Sequence, residues 1–271
     1  MVATQDRQIS AWKQQVNTRV KIAGEGPPVV FVLGAYGLQW DPFLDALAER
    51  FTVYAPEHPG TTAGAPDEIK PIDTLWDLVL YYYELFDALG LDSPAVIGHS
   101  FGGMVAAEVA ATNPKRVSKL VLIDPVGLWR DDAPVRNWMA TPMTDLPRYL
   151  FADVNSPAAQ MMSAGASMMA NGAEPSDAII DMQVQMMWSL ACTGKFVWPI
   201  PDKGLKKRLH RIAAPTLIVH GKQDGIVPAV YAGEFASRIS NARVEMIDGA
   251  GHLPHVEQRE TTVALVREFL S

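Results

Sequence analysis

A serine set between two glycines, in Gly98-His99-Ser100-Phe101-Gly102, is the residue of this chain best placed to act as a nucleophile. It stands where an apolar run, Pro94-Ala95-Val96-Ile97, gives way to a helical pattern. A hydroxyl carried on such a strand-to-helix turn sits in strained backbone, so the residues two positions away must lack bulk, and Gly98 and Gly102 meet that need. The following helix, over about 101–113, aims its N-terminus at the same spot. Its free N–H groups and positive dipole end suit a developing oxyanion.

A hydroxyl needs a base, and the base needs an acceptor that orients it. Of the six histidines, His252 in Gly249-Ala250-Gly251-His252 lies between the last strand and the last helix, on a glycine-loosened loop at the sheet edge that also carries the serine. It is the expected base. His255, at the start of that helix, is expected at the surface or as a cap residue, and His220 as packing at a strand end. His58 and His99 border the expected pocket, while His210 carries no signal. Two acids end apolar runs: Asp224 after Pro215 to His220, and Asp124 after Leu120 to Ile123. Either could reach an imidazole. Asp248, four residues before His252, reads as a turn aspartate. The second oxyanion donor is expected in Leu33-Gly34-Ala35-Tyr36-Gly37, so the backbone N–H groups of Ala35 and Phe101 form the expected hole.

Apolar runs alternating with longer amphipathic segments predict an α/β fold, a mostly parallel eight-stranded sheet with helices on both faces. The strands fall at about 12–16, 19–23, 28–33, 51–55, 94–98, 118–123, 215–220 and 243–247. A helix starting at Thr74-Leu75-Trp76-Asp77 runs to Leu89 and stops at Gly90. Two more span Val227 to Ile239 and Val256 to Leu270. The rhythm breaks over residues 127–208, which hold nine of the twelve methionines and four of the seven tryptophans. This stretch is expected to be a helical cap inserted into a core of residues 1–126 and 209–271. Flexible thioethers suit an adaptable apolar cleft. Met143, Met162, Met169, Met186 and Trp188, with Tyr36 and His99, are the expected pocket residues.

At 271 residues and 48% hydrophobic, the chain can bury a full core as one domain. A net charge of -7 without long like-sign runs offers no stripe for nucleic acid or anionic lipid. The expected ligand is small and apolar or neutral. Cys192, the single cysteine, rules out an internal disulfide and fits packing better than reactivity. With no apolar signal core at the start and no run long enough to span a bilayer, a soluble cytoplasmic protein is expected. No H-E-x-x-H, P-loop or G-x-G-x-x-G after a strand is present, so neither metal nor organic cofactor is expected.

Taken together, the serine motif, the Asp224 strand end, Gly249-Ala250-Gly251-His252 and the tract Phe51 to Gly60 resemble the α/β-hydrolase family, specifically its cap-bearing esterases and carbon–carbon bond hydrolases. The resemblance implies the chain order Ser, Asp, His, which favours Asp224 over Asp124. It departs at Leu33, where family members usually carry histidine. Ser100 argues against the branches with an aspartate nucleophile, and His99 stands where the carbon–carbon hydrolases usually carry asparagine. The resemblance therefore implies hydrolysis of a carboxylic ester or lactone. Carbon–carbon hydrolysis of a vinylogous diketone, or a ligand receptor that keeps the triad, are the alternatives.

Overall fold

The computed structural model describes residues 2–170, 172, 174–200 and 202–271. Its elements run β1 (Gln5–Ala11), β2 (Val16–Ala23), β3 (Pro28–Val32), α1 (Pro42–Ala48), β4 (Thr52–Pro56), α2 (Leu75–Leu89), β5 (Ala95–His99), α3 (Phe101–Thr112) and β6 (Leu120–Ile123). Three helices follow: α4 (Pro147–Leu150), α5 (Pro157–Ala170) and α6 (Asp177–Val197). The chain then returns through β7 (Thr216–Gly221), α7 (Val230–Ala236), β8 (Ala242–Ile247), α8 (Pro254–Glu257) and α9 (Arg259–Leu270). The strands form one sheet in the order β1-β2-β4-β3-β5-β6-β7-β8. Pairing is antiparallel from β1 to β2 and from β2 to β4, and parallel elsewhere.

The parallel strands are buried on both faces and therefore read as unbroken apolar runs, such as Leu120-Val121-Leu122-Ile123. Tyr81, Tyr82 and Phe86 of α2, Val105 and Ala106 of α3 and Phe235 of α7 pack against one face. Phe43 and Leu44 of α1 with Val263 and Val266 of α9 cover the other. Helix α3 is buried from Phe101 to Ala111, as an all-round apolar helix at the centre of a domain must be. Its one charge, Glu108, takes two hydrogen bonds from Arg208, at 2.7 and 2.6 Å. Thr74 and Asp77 close a reciprocal capping box at the start of α2, and Gly90 ends that helix at φ 73°.

The first strand departs from expectation. It occupies residues 5–11, and Trp12, Lys13 and Gln14, all at positive φ, make the turn into β2. Edge strand β1 buries only Ile9 and Ala11, so it carries almost no apolar signal, while apolar Trp12 sits in the turn. The last helix is broken at Gln258 into α8 and α9, and α7 is shorter than its apolar pattern, spanning 230–236 after Pro228. Among the described residues no helix is long and apolar enough to cross a membrane.

Candidate active site

Ser100 follows β5 directly, with φ 54° and ψ -117°, a conformation that L-residues seldom adopt. A Cβ on Gly98 would collide with the Gly102 carbonyl, and one on Gly102 with the Val32 carbonyl of the neighbouring strand. The glycines thus let α3 start hard against the sheet and hold the strained serine up at its rim. Register does the rest. Gly98 lies between Val32 of β3 and Leu122 of β6, so the loops after β3 and β6 flank the hydroxyl.

His252 reaches the serine from the loop after β8. Its Nε2 accepts from Ser100 Oγ at 2.8 Å, and its Nδ1 donates to Asp224 Oδ2 at 2.7 Å. Asp224 Oδ1 is occupied by the N–H groups of Ile226 and Val227, at 2.7 and 2.9 Å. Burial alone would raise the Asp224 carboxyl, but the His252 imidazole, the hydrogen bond it gives and nearby His220 hold it below the ordinary carboxylate value. With Asp224 as acceptor the proton on His252 sits on Nδ1, which leaves Nε2 free to take one from Ser100. Among the described residues, neither the Ala35 nor the Phe101 amide has a hydrogen-bond acceptor.

Backbone contacts fix the loop that holds His252. Its N–H donates to Leu150 O at 2.7 Å, so α4 pins the imidazole from above. A Cβ on Gly251 would strike that same carbonyl, which is why the residue before the histidine is glycine. His99 Nε2 donates to the His252 carbonyl at 2.8 Å. His58 donates from Nε2 to Leu33 O, at 2.9 Å, and accepts from Tyr82 Oη on Nδ1, at 2.8 Å. It therefore braces the loop after β3 from below, without lining the cavity. His255 corrects the surface reading: it is buried against Phe31, Phe43 and His99 and lines the cavity. A residue just after Pro254, in a four-residue helix, gave no apolar pattern that could reveal this packing.

A cavity of about 360 Å³ opens over Ser100 and His252. Tyr36, His99, Met162 and Met186 line it, as do Met161 and Met182. Met143 does not; it is partly buried and packs against the core. Nor does Trp188, whose side chain is turned outward, 42% exposed, while Nε1 donates to Gly60 O at 2.7 Å and ties α6 to the loop after β4. Met169 belongs to α5, but its side chain lies outside the described residues. Cys192 is buried, and burial pushes its thiol up to about 11.

Four histidines stay neutral because burial disfavours their charged form. His58 is pushed down to about 4 and His255 to about 3, with His99 well below and His220 below the usual value. On unfolding each would take up a proton below pH ~6.5, so each contributes stability that is present above that pH and lost, at up to ~1.4 kcal/mol per unit, as pH falls toward its folded pKa. Asp124 and Asp41, raised by burial, the latter to about 6, release a proton on unfolding above pH ~4 and act oppositely. Four groups outweigh two. The melting temperature is expected to fall by several degrees between pH 7 and pH 5 at fixed ionic strength, and a flat profile would contradict the burial of these imidazoles as neutral groups.

A family model described as "alpha/beta hydrolase fold" matches residues 27–258. The chain is 29% identical over 262 residues to a polyketide synthase of Burkholderia thailandensis, covering 91% of this chain but only 12% of that protein. It is 25% identical to the pimeloyl-[acyl-carrier protein] methyl ester esterase of Vibrio campbellii, over 91% of this chain and 95% of the other. The solved structure of 2-hydroxy-6-oxo-6-phenylhexa-2,4-dienoate hydrolase from Rhodococcus sp. strain RHA1 superposes with a TM-score of 0.76 at 20% identity, covering 100% of this chain and 99% of the other.

Proposed function

The chain belongs to the alpha/beta hydrolase fold family, and from that premise we propose that it is a serine hydrolase acting through an acyl-enzyme on a small, mainly apolar carboxylic ester or lactone. The observation that carries the reading is the continuous relay from Ser100 Oγ to His252 Nε2, at 2.8 Å, and from His252 Nδ1 to Asp224, at 2.7 Å. As His252 takes its proton, Ser100 attacks the acyl carbon, and the negative charge gathers on the carbonyl oxygen between the Ala35 and Phe101 amides. The protonated imidazole, held by Asp224, then passes the proton to the leaving alkoxide. Water repeats the cycle on the acyl-serine and frees the acid.

Residues 127–208 act in this reading as a cap that selects the acyl or alcohol chain. The lining supports it, since Met162 and Met186 line the same cavity as Ser100. Met162→Ala and Met186→Ala are expected to shift chain-length preference toward longer esters, because an apolar pocket discriminates one methylene by about 1–3 kcal/mol. Met143→Ala, outside the cavity and only partly buried, should lower stability by less than the ~2–5 kcal/mol of a fully buried site, without moving that preference. Rates on acetyl, butyryl and octanoyl esters, with melting temperatures, separate the two classes.

Turnover of p-nitrophenyl acetate and butyrate tests the activity itself. Multiple rapid turnovers are expected; a single slow one would indicate a binding protein, and activity confined to dienone acids would indicate carbon–carbon hydrolysis.

A further inference from the structure

Directly behind the His252–Asp224 pair lies a second carboxyl group that the proposed reaction does not use. Asp124 directly follows β6 at a positive φ of 43°, and its side chain is wholly buried. Because β6 and β7 are parallel neighbours with Ile123 opposite Val219, the acids that follow the two strands emerge side by side at one edge of the sheet. Asp124, Asp224 and His252 each bring an oxygen or ring nitrogen within 4.8 Å of the other two.

The surrounding donors and acceptors limit how two buried acids can lie so close. Asp124 Oδ1 accepts from the Gly221 N–H at 2.9 Å, whereas its Oδ2 is buried with no donor facing it. Asp224 offers no proton, since Oδ1 accepts from two amides and Oδ2 from His252. His220 donates from Nε2 to Val227 O at 3.0 Å, which leaves its Nδ1 bare, 3.6 Å from Asp124 Oδ1. Glu257 adds a third negative charge nearby; its oxygens cap the Gly251 and Ala152 amides. The ion-pairing side chains within 4 Å of either aspartate are histidines alone among the described residues. Two carboxylates this close in such a place would repel each other without compensation.

We propose that Asp124 is a carboxylic acid at neutral pH and that its Oδ2–H donates to Asp224, so that His252 is oriented by an acid–carboxylate pair in which Asp124 is the positioning residue. One proton satisfies the stranded Oδ2 and leaves a single negative charge behind the imidazole. Burial first, and the Asp224 charge second, keep that proton in place by raising Asp124 well above the usual carboxylate value. The hydrogen bond stabilises Asp224 as the carboxylate and keeps its Oδ2 turned to His252. The inference deepens the proposed function, and only its kinetic arm depends on that reading.

The test uses Asp124→Asn and Asp124→Leu. The amide copies the protonated acid: it accepts from Gly221, donates toward Asp224 and tolerates positive φ. The wild-type minus Asp124→Asn infrared difference spectrum at pH 7 should contain the C=O band of a protonated carboxyl; a carboxylate band in its place overturns the proposal whether or not the protein turns over an ester. In kinetics, Asp124→Asn should keep the rate within about tenfold and leave the acid limb of kcat/KM where it is, because no charge is removed. Were Asp124 ionised, removing its charge beside His252 would move that limb down by about a unit or more, and such a shift also overturns the proposal. Asp124→Leu loses the donor. It should lower kcat at least tenfold below Asp124→Asn and move the limb up, a displacement that damaged packing alone does not produce.

Discussion

Replacing Ser100 by alanine is expected to lower kcat by about 10⁴- to 10⁶-fold, the range over which removal of a triad nucleophile acts. The substitution deletes one oxygen whose hydrogen-bond partner is His252 Nε2. Alanine has the same Cβ and meets the same strain at φ 54°, so the circular dichroism spectrum and melting temperature should barely move. A small phosphonate reagent should add its mass to the wild type and fail to add it to Ser100→Ala. Retention of more than a tenth of the wild-type rate with an intact fold would remove Ser100 from the mechanism. In the proposed reaction the loss stays finite, because the Ala35 and Phe101 amides and the apolar cavity would still bind the polarised ester when a water is the attacker.

The serine turn is legible in the sequence because three independent constraints meet there: an apolar strand, a helix start and two glycines that backbone crowding requires. Helix α2 was legible for a similar reason, since its capping box and its terminal glycine are both local. Strand β1 was not. An edge strand that exposes four residues in succession carries no alternation to detect.

Within the site, sequence could propose Asp124 and Asp224 but not their closeness, which depends on β6 lying beside β7. Pocket methionines posed a problem of helix phase. Met182 and Met186 are four residues apart and share the inner face of α6, whereas Trp188, two residues beyond Met186, is rotated about 200° away and faces out. Composition located the methionine-rich helices, and only packing decided which side turned inward. The same limit hid His255, whose burial comes from Phe31 and Phe43, more than two hundred residues earlier in the chain.

Asp224→Asn is expected to cost about 10⁴-fold in kcat, through the tautomer of His252 rather than through any loss of structure. The surroundings dictate how the replacement amide must sit. Ile226 and Val227 present N–H donors to Oδ1, at 2.7 and 2.9 Å, so the amide oxygen takes that position and the NH₂ group turns to His252 Nδ1. A donor now faces a donor. The imidazole relieves the clash by carrying its proton on Nε2, where it can no longer accept from Ser100, and the nucleophile loses its base. Nitrogen-15 shifts of the His252 ring should show the exchange of protonated nitrogen, and melting curves should show an intact fold. Asp124→Asn, which preserves both hydrogen bonds of the acid it replaces, should cost at least a hundredfold less. The reverse ranking would assign the orienting carboxylate to the end of β6, and a full-rate Asp224→Asn variant would detach the relay from the chemistry.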